Sequence, residues 1–164
     1  MTSALKIFGG IVVAAALASP ASAEDGLLTQ KALSLGMAQT IANGAMESCK
    51  AMGYQVSIAV VDRDGLPMVM LRGDGAGLHT PEGAERKAYT ARTFRNPSAD
   101  VLKRVQRDPA AHASETYSHV LALPGGLPIK VGNDVIGAVG VSGSPGKDDD
   151  CGQAGIDKVS ALLK

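Results

Sequence analysis

The order of helical and strand-like segments constrains the fold of this chain more than any other feature of its sequence. Apolar residues recur at helical spacing over residues 29–52, where Thr29 can cap the helix, and residues 54–61 then alternate as a strand does. A turn at Asp62–Gly65 leads back into a second strand over 66–72. The remaining predicted elements are helices over 81–94 and 98–106, strands over 119–123, 128–131 and 135–142, and a helix over 149–163.

Strands joined by short turns pair in antiparallel fashion, and helices must cover the apolar faces of their sheet. The sequence therefore predicts an α+β domain with a five-stranded antiparallel sheet in a three-layer α-β-α arrangement. The chain has no Trp, two Phe and three Tyr, so its core must be built from aliphatic residues, Met and Ala. Its twenty glycines allow tight turns and close helix–sheet contacts.

The N-terminus has the pattern of an export signal. Lys6 precedes an apolar stretch over 7–17, and Ala21-Ser22-Ala23 forms a small-x-small cleavage site. We predict a secretory signal peptide over 1–23, a single domain over 24–164 and a periplasmic or secreted location. The chain after cleavage carries a net charge of −1, which gives no excess positive field for nucleic acid, and no second apolar run is long enough to span a membrane.

Two cysteines, Cys49 and Cys151, remain after export. In an oxidising compartment an even pair of cysteines favours a disulfide. If the last strand pairs antiparallel with the first, the end of the first helix and the start of the last helix meet at the same edge of the sheet. Both cysteines lie at those helix ends, so the topology supports the disulfide.

The most informative local pattern is a glycine-rich loop that leads into a basic helix over residues 73–95. Thr80 suits the N-cap and Pro81 the first helical turn, which places His79 at a helix end that attracts anions. Arg86 and Lys87 follow on the same helix. This corner can bind an anionic ligand, or a metal-containing ligand through His79. The alternative is a well-formed loop–helix junction with solvated basic residues.

Several short segments stand in a recognisable order along residues 29–164: Val60–Asp62, Arg72–Gly77, Lys87–Ala91, Pro124–Ile129, Ile136–Gly143 and Asp150–Gly155. In this order they resemble the GlcG/HbpS-like family of haem-binding proteins. The resemblance implies a profilin-like α-β-α fold, homo-oligomers and haem binding, with haem degradation proposed for some members. It leaves open whether haem is sensed, stored or degraded.

The resemblance also implies site residues. Residues 74–80 match the family loop that lies near haem, so His79, as ligand of the haem iron, and Thr80 are the first candidates. Tyr89 is an alternative ligand, and candidate partners for the propionates are Arg72, Arg86 and Lys87. One chain has few aromatic residues to enclose a porphyrin. A site between subunits would solve this, with contributions from Leu78, Met68, Met70 and Phe94.

A different class of function is an enzyme that acts on a small anionic metabolite. His79 or Lys87 would then be the acid or base, and the helix start would hold a carboxylate. No nucleophile–base–orienter set accompanies these residues. The acidic run Asp148–Asp150 is interpreted as a solvated helix start rather than a cation site, because no regular ligand spacing follows it.

Overall fold

The computed structural model describes residues 26–164; the signal peptide predicted over 1–23 lies outside the described residues. The main elements are α1 (Leu35–Ala51), β1 (Ser57–Val61), β2 (Pro67–Arg72), α2 (Thr80–Phe94), α3 (Ser98–Arg107), α4 (Pro109–His112), β3 (Gly126–Val131), β4 (Asp134–Ser142) and α5 (Asp148–Asp157). Short 3₁₀ turns cover Ala113–Thr116 and Ser160–Leu162. No helix among residues 26–164 has the length and apolar character needed to cross a bilayer.

The strands form one antiparallel sheet in the order β2-β1-β4-β3. The central pair joins β1 to β4, and its register runs from Ser57 opposite Ser142 to Val61 opposite Ala138. The predicted antiparallel pairing of the first and last strands is therefore confirmed. It places the end of α1 and the start of α5 at the same edge of the sheet.

The prediction of five strands is wrong, because the described sheet has four and residues 119–123 are not a strand. The backbone of this segment bonds to helix side chains instead of to a neighbouring strand. The Leu121 N–H donates to Thr90 Oγ1 at 2.8 Å, and the Leu123 carbonyl accepts from Ser98 Oγ at 2.5 Å. The segment therefore packs over α2 and α3 as an irregular connection.

Helices cover both faces of the sheet. Ile58 and Val60 of β1 belong to the core cluster under α1 and α5, whereas Ala59 and Val61 pack with the alanines of α2. The α2 face is built from small residues, so the helix comes very close to β4. A Cβ on Gly140 would lie 2.0 Å from the Ala84 carbonyl oxygen, and only glycine permits this approach.

The predicted disulfide between Cys49 and Cys151 is present in the structure. It joins the last turn of α1 to the first turn of α5, with Cα atoms 5.4 Å apart and both residues fully buried. The sheet topology brings these helix ends together, as expected.

The first and last helices are shorter than predicted. Helix α1 begins at Leu35 rather than near Thr29, because the Ser34 hydroxyl accepts a hydrogen bond from Met37 N–H at 3.2 Å and caps the helix there. Helix α5 ends at Asp157 rather than near residue 163, and Leu162 is exposed in the 3₁₀ turn that follows.

Candidate functional site

A cavity of about 540 Å³ lies where the N-terminus of α2, the end of β4, the start of α5 and the loop before β3 meet. We call it the α2 cavity. Its volume is typical of small-molecule sites, which span roughly 300–1,000 Å³. Its polar lining residues include His79, Arg86, Lys87 and Asp148, and its apolar lining residues are Leu121, Leu123, Pro124 and Pro145.

His79 stands at the mouth of the α2 cavity. The structure corrects the predicted cap: His79 occupies the N-cap position of α2, and Thr80 is the first helical residue. The His79 side chain is exposed, and its ring nitrogens form no hydrogen bond with any residue between 26 and 164. An imidazole nitrogen is therefore available to a ligand in the cavity.

The Thr80 hydroxyl has a different role because it is buried behind the loop. It donates to the Gly77 carbonyl at 2.8 Å and lies 2.8 Å from the Ser57 hydroxyl of β1. These contacts tie the loop that carries His79 to the central strand. Thr80 thus fixes the position of His79 without lining the cavity.

Lys87 and Asp148 form a buried ion pair in the cavity wall, with Nζ and Oδ2 2.8 Å apart. The Lys87 amine also donates to the Val141 carbonyl at 3.1 Å. The other oxygen of Asp148 accepts from the Ser144 N–H at 2.9 Å and from its hydroxyl at 2.6 Å. Both buried charges are therefore paired and hydrogen-bonded, which offsets their loss of hydration. Because the partners lie on different elements, the network joins α2, β4 and α5.

Arg86 retains a polar atom without a partner. Its guanidinium donates to Glu82 Oε1 at 3.1 Å and to the Val120 carbonyl at 2.8 Å. Its Nε is buried and has no hydrogen-bond acceptor in the described part of the chain. The guanidinium is nevertheless partly exposed in the cavity lining, so an anion in the cavity is a natural partner for its charge.

Two of the candidate site residues lie elsewhere. Arg72 donates from Nε and Nη2 to the Ala76 carbonyl, at 3.3 and 2.8 Å, and lines a different cavity. Tyr89 packs against His119 with ring centroids 5.4 Å apart and lies outside the α2 cavity lining. The α2 cavity therefore brings together His79, Arg86 and Lys87, and it does not include Thr80, Arg72 or Tyr89.

The acidic run at the start of α5 is only partly solvated. Asp148 is buried in the ion pair, whereas Asp150 is exposed and pairs with Lys147. Between them, the Asp149 carboxylate accepts from Gly125 N–H at 2.7 Å, and burial raises its pKa above the usual value. The interpretation as a solvated helix start is thus wrong for Asp148. The run of three aspartates is visible in the sequence, but the sequence does not show which of the three carboxylates is buried.

The side chains expected to enclose a porphyrin are dispersed. Phe94 packs in the cluster between α2 and α3, and Met68 packs against the main core. Met70 lines the same cavity as Arg72. Leu78, next to His79 in the chain, is 89% exposed. The apolar wall of the α2 cavity is instead formed by Pro124, Pro145 and two leucines, Leu121 and Leu123, from the segment predicted as a strand.

The sheet, the helices on its two faces and the α2 cavity define a small α+β domain with a candidate ligand cavity. Residues 33–157 match the family model described as haem degrading protein HbpS-like, and the chain therefore belongs to the HbpS-like family.

Individual relatives agree with this assignment. The chain is 32% identical to protein GlcG of Escherichia coli K12 over 114 residues, which is 70% of this chain and 84% of GlcG. It is similar to the crystal structure of a double mutant of Streptomyces reticuli HbpS, with 35% identity, a TM-score of 0.77 and coverage of 90% of this chain and 98% of the other. A crystal structure of a PduOC–haem complex has 28% identity and a TM-score of 0.70, and the match covers 78% of this chain and 95% of that one.

Proposed function

We propose that this protein is an exported haem-binding protein and that it holds haem in the α2 cavity. The observation that carries the proposal is that one cavity combines an imidazole without hydrogen-bond partners among residues 26–164, an apolar wall and a partly exposed guanidinium. The haem-degrading description of the family and the haem complex of a relative support the choice of ligand.

The residues of the α2 cavity fit the chemical requirements of haem. His79 supplies an imidazole, and imidazole is a common axial ligand of haem iron. Arg86 supplies an N–H donor for a propionate, and Leu121 and Leu123 supply apolar contact surface. Bound haem supplies an iron centre for ligand binding or redox chemistry. The chain orients it through the loop that Thr80 anchors and through the wall that Lys87 and Asp148 hold rigid.

We further propose that the haem site is completed by a second copy of the chain. Leu78 is 89% exposed and is next in the chain to His79, which lines the α2 cavity. Exposed leucine beside an open cavity is suited to contact with another subunit. A homo-oligomer would cover both Leu78 and the open side of the bound ligand.

The alternative of an enzyme for a small anionic metabolite is less well supported. The Lys87 amine is buried and donates to Asp148 and to the Val141 carbonyl, so it does not project a free amine into the cavity. His79 would then be the one acid or base among the residues proposed for this role. Such an enzyme would convert its substrate in a haem-free preparation, whereas the proposed function requires haem.

Haem binding is tested by titrating haemin into the purified mature protein and following the Soret band. We expect a saturable shift in the wild type and at least a tenfold weaker affinity for His79→Ala. His112→Ala is the matched control, because His112 is exposed, has its Nδ1 3.1 Å from Glu115 Oε2 and lies outside the α2 cavity. The site assignment is wrong if both histidine variants bind haemin as the wild type does. The proposed function is wrong if the wild type shows no saturable change.

The same haem-loaded sample separates the possible roles. Addition of a reductant under air should bleach the Soret band if the protein degrades haem, and should leave it intact if the protein stores or senses haem. Size-exclusion chromatography with light scattering, with and without haemin, tests the oligomer. Intact mass of the protein recovered from the exported fraction of the cell tests cleavage after Ala23.

A further inference from the structure

A second cavity of about 660 Å³ lies between the C-terminal end of α1 and strand β2. We call it the α1–β2 cavity. Its lining includes Met46, Lys50, Tyr54, Met70, Arg72 and Gly73, and it shares no residue with the lining of the α2 cavity. Neither the proposed haem site nor the disulfide gives it a role.

Local backbone features keep this cavity open. Gly53, with φ of 84°, ends α1 and turns the chain toward β1. A Cβ on Gly73 would lie 3.1 Å from the Val56 carbonyl oxygen and 3.4 Å from Met46 Sδ. The missing side chain leaves the Met46 thioether at the border of the cavity. Strand β2 is at the edge of the described sheet, so no further strand covers this side.

The walls of the α1–β2 cavity are apolar and adaptable. Met46 and Leu71 pack against the main core, and Met70 is 39% exposed. Methionine side chains adjust their shape to different apolar ligands because they are unbranched and polarisable. This surface is therefore suited to a flexible aliphatic chain.

The rim of the same cavity carries two cations. Lys50 and Arg72 are exposed, and neither forms an ion pair with a carboxylate of residues 26–164. Arg72 uses Nε and Nη2 to bind the Ala76 carbonyl, which fixes its guanidinium and leaves Nη1 without an acceptor in the described structure. Asp74 also lines the cavity, so the charged side chains there sum to +1.

We propose that the α1–β2 cavity is a second ligand site, separate from the haem site, that binds a medium-chain aliphatic carboxylate. The carboxylate accepts hydrogen bonds from Arg72 Nη1 and Lys50 Nζ, which are charge-assisted donors. The aliphatic chain lies against Met46 and Met70. The step is reversible binding, and it requires no covalent chemistry.

The test uses octanoate as the probe and octanamide as its neutral counterpart. Each is titrated into the ¹⁵N-labelled mature protein, and amide shifts are followed by NMR. We expect saturable shifts that centre on the Gly53, Gln55 and Gly73 amides, with octanoate binding at least tenfold more tightly than octanamide. Lys50→Glu should weaken octanoate binding at least tenfold. Lys130→Glu, an exposed charge reversal on β3, should leave the affinity unchanged.

Each result decides the proposal. It is overturned if octanoate gives no saturable shift, if the shifts centre on the α2 cavity, if octanamide binds equally well, or if the Lys50 and Lys130 variants have the same affinity. The haemin titration of Lys50→Glu is measured in parallel and should match the wild type. Loss of haemin binding in that variant would show that the two ligands share one site and would also overturn the proposal.

Discussion

Replacement of Lys87 by methionine tests the buried ion pair that holds the wall of the α2 cavity. The side chains of Lys87 and Asp148 are 7% and 10% exposed, and their charged atoms are 2.8 Å apart. Removing one partner of a buried pair costs about 3–5 kcal/mol, because the other charge stays buried without compensation. The two hydrogen bonds from Ser144 to Asp148 remain, so we expect Lys87→Met to lower the free energy of unfolding by about 3 kcal/mol.

The assay is urea denaturation at pH 7 with the disulfide intact, followed by circular dichroism. Lys103→Met is the matched control: Lys103 also pairs with an aspartate at 2.8 Å, but both side chains are more than half exposed. Such surface pairs contribute below about 1 kcal/mol.

A second variant identifies the cause of the destabilisation. The double variant Lys87→Met/Asp148→Asn should recover at least about 1 kcal/mol, since it removes the unpaired charge and keeps an acceptor for Ser144. Equal losses for Lys87→Met and Lys103→Met, or a double variant no more stable than Lys87→Met, would refute the reasoning.

Two further predictions concern the same end of the fold. The disulfide closes a loop with a sequence separation of 102, so the double variant Cys49→Ala/Cys151→Ala should lose up to about 4.7 kcal/mol in urea denaturation; a loss below about 1 kcal/mol would contradict the entropic argument. Burial raises the pKa of Asp149 in the folded state, so the native protein binds the proton more tightly and gains stability as the pH falls. Asp149→Asn should therefore be at least as stable as the wild type at pH 7, and its advantage should shrink as the pH falls toward 4; an advantage that grows on acidification would contradict this sign.

Local sequence patterns predicted much of the fold. Helix α2 begins and ends within one residue of the expected bounds because Pro81 fits its first turn and the Asn96-Pro97 pair stops it. Gly53, with a positive φ, ends α1 close to the predicted residue 52, and the turn at residues 62–65 joins β1 to β2 as expected. These signals act through backbone dihedrals and hydrogen bonds over a few residues, so they can be interpreted without knowledge of the rest of the chain.

The errors occurred where distant groups compete for the same backbone or side-chain atoms. Residues 119–123 have the apolar content of a strand, but Thr90 and Ser98 supply their hydrogen-bond partners from α2 and α3. Thr80 has the sequence of an N-cap, but its hydroxyl bonds to Ser57 of β1 and to Gly77. No pattern local to the segment contains this information.

The candidate site shows the same division. The sequence alone identified the loop and helix that carry His79, Arg86 and Lys87, together with the cysteines that form the disulfide. Only the tertiary structure decided that Lys87 is committed to Asp148, that Arg72 faces another cavity and that leucines before β3 form the apolar wall. Backbone preferences are set by neighbours in the chain, whereas the partner of a buried charge is set by the packing of elements far apart in sequence.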